Sequence, residues 1–143
     1  MLVNNYIKKL MFSIMTLCLV LSFVSCNDNE TPTKKYDDFT HIDHWDETKQ
    51  FTAEETLVFY YSPYCEICQS IQREATEYLV TLENQDIPIY MVHEGFIYEQ
   101  GTPPLDMIET PSILIYRNNQ YFDIVSGSKP ILNYLSSKVN EIS

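Results

Sequence analysis

Two cysteines three positions apart, Cys65-Glu66-Ile67-Cys68, stand where the hydrophobic pattern of the chain changes period. Before them, residues 57–61 read Leu-Val-Phe-Tyr-Tyr, a β-branched and aromatic run that predicts a buried strand. Ser62-Pro63-Tyr64 breaks it. After them, Cys68, Ile71, Ala75, Leu79 and Leu82 recur every three or four residues, one apolar stripe on a helix of about five turns. The pair therefore opens a helix that follows directly on a strand. A disulfide across so short a loop stabilises little, because loop-closure gains grow with loop length. The pair reads as a redox site and not as a staple.

Position assigns the roles. Cys65 stands at the helix N-terminus, where free N–H groups and the helix dipole favour an anion. The thiolate is the nucleophile, and this placement lowers its pKa. Cys68 lies on the same face and slightly deeper, as a resolving thiol should. Cys65 is expected to attack a target disulfide, and Cys68 to release the mixed disulfide. Glu66 puts a negative charge beside Cys65 and disfavours its thiolate, and no histidine stands between the cysteines to favour it. That favours reduction or isomerisation over oxidation.

The chain begins with Lys8 and Lys9 and no acid, then an apolar run over residues 10–24 that only Ser13, Thr16 and Ser22 interrupt. A short basic region before a short apolar core is the pattern of a secretory signal. At about 15 residues the run falls short of the roughly 20 a membrane span needs. It ends Phe23-Val24-Ser25-Cys26, which resembles the bacterial lipoprotein cleavage box, with Phe23 where leucine is usual. The resemblance implies removal of residues 1–25 and lipid attachment at Cys26, an anchor that is stable with two acyl chains. Residues 26–36 are polar and are expected to form a flexible tether to a domain over 37–143. Cys18 leaves with the signal, so Cys65 and Cys68 are the pair available for chemistry. Export to an oxidising compartment allows a disulfide between them to persist.

The rest of the chain alternates in kind. Residues 38–43 predict a short first strand and 45–51 a short helix that turns Trp45 and Phe51 inward. Residues 87–92 predict a strand with Pro88 at its start. Residues 94–109 read as a loop, with one helical turn around Leu105, Met107 and Ile108. Residues 112–116 and 121–125 predict a hairpin about Asn118-Asn119. Ser128 is expected to cap a last helix that has Pro130 in its first turn and a stripe of Leu132, Leu135, Val139 and Ile142. Strands alternating with helices, then a hairpin, predict an α/β fold with a mixed sheet.

This order, with Cys65-Glu66-Ile67-Cys68 opening a helix and Glu109-Thr110-Pro111-Ser112 leading into a strand, resembles the thioredoxin superfamily. Asn118-Asn119 and Val125-Ser126-Gly127-Ser128 match its terminal hairpin and glycine. In outline the chain is also similar to bacteriocin-transport accessory proteins. The resemblance implies a thioredoxin-like fold, a central mixed sheet flanked by helices. It implies that Pro111 is cis beside the cysteines and that Thr110 offers backbone groups to a bound peptide. Tyr64, with Phe96 and Tyr98, would line the rim. Three usual residues are missing: Phe59 stands in place of a buried aspartate, Arg73 in place of a helix-kinking proline, and Tyr64 in place of a tryptophan.

The expectation is a membrane-anchored, extracytoplasmic thiol–disulfide oxidoreductase. It would act on thiols or disulfides of exported proteins and be served by a membrane redox partner. It needs no cofactor beyond the Cys65–Cys68 disulfide. A thioredoxin-like binding or accessory module without redox turnover is the alternative. Lys and Arg number 9 against 20 Asp and Glu, a net −11. That excludes a nucleic-acid partner, which requires a basic footprint. His41 and His44 have zinc-like spacing, but nothing in the sequence brings them to Cys65 and Cys68, and no metal is expected. His93, at a strand end, is a candidate proton carrier.

Overall fold

The computed structural model describes residues 34–95, 97, 101, 103–105 and 108–142. Five strands form one sheet: β1 (Thr40–His41), β2 (Glu55–Tyr61), β3 (Ile89–His93), β4 (Ser112–Arg117) and β5 (Gln120–Ser126), in the order β1-β3-β2-β4-β5. β1 and β2 pair parallel with β3, whereas β4 runs antiparallel to both β2 and β5. Among the described residues, two α-helices, α1 (Glu66–Glu83) and α2 (Ser128–Ile142), complete an α/β architecture with a mixed sheet.

Each element follows from its side chains. β2 is central and buried on both faces. Leu57, Phe59 and Tyr61 join a core with Ile71, Ala75, Leu79, Leu82, Ile131 and Leu135 of the two helices. Val58 and Tyr60 alternate onto the other face, into a second core with Trp45, Phe51, Val92 and Leu114. That second face is covered by a short 3-10 helix, Trp45–Gln50. The stripe of α1 is buried as its period requires; each such aliphatic side chain contributes about 1.5–3 kcal/mol by leaving water. Asn118 and Asn119 take positive φ (49° and 65°), the conformation a two-residue hairpin needs and asparagine tolerates.

Five expectations are corrected. Tyr36, placed in the tether, is buried in the first core and begins a 3-10 helix, Tyr36–Asp38. Lys34 already pairs with Glu83. β3 starts at Ile89; Pro88 lies just before it and accepts a bond from the Leu57 N–H at 3.0 Å, using its carbonyl where it has no N–H to offer. Ser128 is the first residue of α2, and the residue before the helix is Gly127, whose φ of +87° suits glycine and whose carbonyl accepts from the Ile131 N–H. The inner side of α2 is Ile131 and Leu135; Leu132 and Val139 are half-buried and Ile142 is exposed. Leu105 and Ile108 lie outside any helix; Met107, the third residue of the expected turn, falls outside the described residues.

Candidate active site

β2 delivers the chain from the core to the C-terminal end of the parallel strands, and Ser62-Pro63-Tyr64 turns it into α1. The Cys65 N–H donates to the Ser62 carbonyl at 3.1 Å. Cys65 is the residue before α1, with extended backbone (φ −85°, ψ 108°), and its Sγ accepts the Cys68 N–H at 3.1 Å. A sulfur thus occupies the capping position that serine or aspartate often fills. Both cysteines are present as thiols. Cys65 is half-buried and Cys68 is 1% exposed.

Across the site, the Thr110–Pro111 peptide bond is cis. The Thr110 carbonyl accepts the Cys65 S–H at 3.8 Å. Pro111 is held in turn by the Gly127 N–H, which donates to its carbonyl at 3.0 Å. The structure thus brings Cys65, Cys68, Thr110 and Pro111 together from two segments far apart in sequence.

The two thiols are driven apart electrostatically. Burial works against the Cys65 thiolate. Hydrogen bonds from the Cys68 thiol and N–H, the Thr110 side chain and the Ile67 backbone outweigh it, and the Cys65 pKa lies below its ordinary value. Burial pushes the Cys68 thiol up to about 12, reinforced by its bond with Cys65. Glu66 is exposed, and the charge expected to disfavour the Cys65 thiolate does not overcome these bonds.

Tyr64 is 91% exposed on the rim. Phe96 and Tyr98, expected beside it, fall outside the described residues, as does Cys26. Sequence reasoning missed two residues. Ile67, between the cysteines, is 52% exposed and extends the apolar rim; an isoleucine off the Cys68-Ile71-Ala75 stripe was the available signal. Tyr36 donates its hydroxyl to the Cys68 carbonyl at 3.0 Å and packs on Phe59 and Tyr61, with ring centroids 4.8 and 4.9 Å away. No pattern around Tyr36 announced that contact. Phe59 is fully buried in the same core as Cys68, so an apolar ring fills the position of the absent aspartate.

His93, the candidate proton carrier, stands beside Tyr61, with ring centroids 5.5 Å apart. Its Nδ1 accepts the Gly95 N–H at 2.9 Å, and it borders a cavity of about 250 Å³ with Asp37, His41, Ile42, Asp43 and Tyr61. There Tyr61 donates to Asp37 at 2.7 Å, and His41 bonds the Tyr61 hydroxyl and the Phe39 carbonyl. Among the described residues, no group of three or more His, Cys, Asp or Glu side chains is arranged to hold a metal ion. No described helix is long and apolar enough to cross a membrane.

A parallel core edged by an antiparallel hairpin, a cysteine pair heading α1 and a cis-proline facing it define a thioredoxin-fold protein. Solved structures bear this out. Mitochondrial thioredoxin 3 from Saccharomyces cerevisiae, in its oxidised form, superposes with a TM-score of 0.57 at 15% identity, over 76% of this chain and 99% of that one. Thioredoxin from Plasmodium falciparum gives 0.57 at 15% identity, over 73% and 99%. Thioredoxin f2 from Chlamydomonas reinhardtii gives 0.54 at 21% identity, over 72% and 94%. At these identities the likeness is one of fold. No family model and no curated protein matches the sequence.

Proposed function

We propose that this chain is a thiol–disulfide oxidoreductase that reduces or isomerises disulfides of exported proteins while tethered to a membrane by a lipid on Cys26. The observation that carries the reading is the opposite tuning of the two cysteines: a half-buried Cys65 sulfur that accepts the Cys68 N–H, above a buried Cys68 thiol held protonated. A nucleophile and a resolving group need those two states.

The exchange balances as follows. The Cys65 thiolate attacks one sulfur of a substrate disulfide; the substrate S–S bond breaks, and the departing thiolate takes a proton. Cys68 then loses its proton and attacks Cys65 Sγ in the mixed disulfide. The Cys65–Cys68 disulfide forms, the second substrate thiol leaves, and the substrate has gained two electrons. A dithiol partner in the membrane would return them. The absence of an imidazole between the cysteines supports reduction or isomerisation over oxidation. Tyr64 and Ile67 supply an apolar rim for the polypeptide, and the Thr110 backbone a polar contact. The Ser25-Cys26 box after the apolar run supports the anchor.

The test is insulin reduction and exchange with a disulfide-bonded peptide by the purified protein and its Cys65→Ser variant. The variant should lose essentially all activity. Equal rates for the two would leave the binding or accessory module as the surviving reading.

A further inference from the structure

We propose that Tyr36 is a positioning residue for the second step of the exchange: its hydroxyl holds Cys68 in place while Cys68 resolves the mixed disulfide on Cys65. The inference rests on the reading of Cys65 and Cys68 as an exchange site and adds to that site a residue from the start of the domain.

Cys68 is held by both of its backbone groups. Its N–H donates to Cys65 Sγ at 3.1 Å, and its carbonyl accepts the Tyr36 hydroxyl at 3.0 Å. A carbonyl has two lone pairs, so the hydroxyl adds to the bond this carbonyl makes along α1. The hydroxyl is itself fixed. Tyr36 is 3% exposed, and its ring lies against Phe59 and Tyr61 of β2. The next residue, Asp37, accepts the Tyr61 hydroxyl at 2.7 Å, and the Asp38 N–H closes the turn on the Lys35 carbonyl at 3.0 Å. Burial, then negative charge on Cys68 and Cys65, holds the phenol protonated. Tyr36 is therefore a hydrogen-bond donor at this site and not a base.

The two holds on Cys68 act at different times. While Cys65 is a thiolate, its charged sulfur accepts the Cys68 N–H strongly. Once that sulfur has bonded to the substrate, the charge is gone and the sulfur is a weak acceptor. Tyr36 donates to a carbonyl whatever the state of Cys65, so its bond persists through the mixed disulfide. Resolution is an intramolecular attack, and its rate follows the orientation of the attacking group. In that attack Cys68 Sγ bonds Cys65 Sγ and the bond from Cys65 Sγ to the substrate breaks. The substrate sulfur leaves with the electron pair, and the proton from Cys68 ends on it. Tyr36 keeps its own proton throughout.

The experiment compares the wild type with Tyr36→Phe, which keeps the packed ring and removes the hydroxyl. Reduced protein is mixed with excess disulfide-bonded peptide and quenched with acid. Mixed disulfide and released peptide thiol are followed by mass spectrometry. The first step is measured alone in Cys68→Ala, with and without Tyr36→Phe. The readout is the ratio of the rate constant for resolution to that for formation of the mixed disulfide. Resolution is unimolecular, so any unfolded fraction leaves its rate constant unaltered. Tyr36→Phe should lower the ratio about five-fold by slowing resolution, the effect of one hydrogen bond. An unchanged ratio, whether both rates hold or both fall, would overturn the role of Tyr36 and leave the exchange reading intact. Failure of the wild type to form more mixed disulfide than Cys65→Ser would overturn both.

Discussion

Cys65 and Cys68 have the same side chain and sit one helical turn apart, yet their surroundings pull their thiols in opposite directions. The difference is one of donors and burial. Cys65 stands outside the helix where N–H groups point at it, whereas Cys68 is enclosed among Tyr36, Phe59 and the helix interior. Iodoacetamide should therefore alkylate Cys65 first in the reduced protein, with a rate that rises at a pH below the ordinary thiol range, as mass spectrometry of timed aliquots will show. Cys68→Ala should trap a mixed disulfide with substrate, whereas Cys65→Ala should trap little; trapping mainly through Cys68 would reverse the two roles. A second prediction concerns stability. The Cys68 pKa is raised on folding, from an ordinary value near 9 to about 12. Its contribution is complete below pH 9 and is lost as the pH rises toward 12, because the unfolded thiol ionises first. Thermal melts of the reduced protein should show a steeper fall over that window than melts of Cys68→Ala. Tyr36, Tyr61 and Tyr134 are also raised by burial and remain in both proteins, so the difference in slope reports the Cys68 thiol together with its coupling to Cys65 and Tyr36.

At the scale of elements, α1 and α2 hold the site because they hold the first core. Leu79 is fully buried in that core. Leu79→Ala should cost about 2–5 kcal/mol in urea unfolding, while Ile142→Ala, at the exposed end of α2, should stay within about 0.5 kcal/mol. Equal costs would mean that the burial read for α2 is misassigned. Gly127 links the elements differently. It precedes α2, takes a φ that side chains resist, and donates its N–H to the Pro111 carbonyl. Gly127→Ala has room for its methyl group, whose nearest contact is Pro130 Cδ at 3.8 Å, so its cost is that of the backbone, about 1–2 kcal/mol. The same melts measure it.

For the whole molecule, the proposed anchor concerns where the site meets its substrates. Glu55 gathers Arg117 and Lys138 at the end of β2 away from the cysteines. If Cys26 is lipidated, the eight residues after it, to Lys34, reach at most about 30 Å when extended, which keeps the domain within a few nanometres of the membrane. Cells fed radiolabelled palmitate should label the wild type and leave Cys26→Ser unlabelled and either released or unprocessed. Label that survives the substitution would rule out the anchor.

The sequence by itself determined the strand at 57–61, the stripe of α1, the hairpin about Asn118-Asn119 and the cysteine pair at a helix start. These are local: periods of two and 3.6 residues, turn chemistry and spacing leave their mark on neighbouring positions. It also determined the resemblance that placed Pro111 and Thr110 opposite the cysteines. Only the tertiary structure decided the contacts between distant segments. The hydroxyl of Tyr36 on the Cys68 carbonyl, the side of α2 that faces α1, and the place of His93 at a cavity with His41 and Tyr61 leave no local period. The opposite tuning of the two thiols belongs to both. Spacing put Cys65 at a helix end, but its pKa follows from hydrogen bonds within a few ångströms, and those exist only after β2, α1 and the Thr110 loop have packed together.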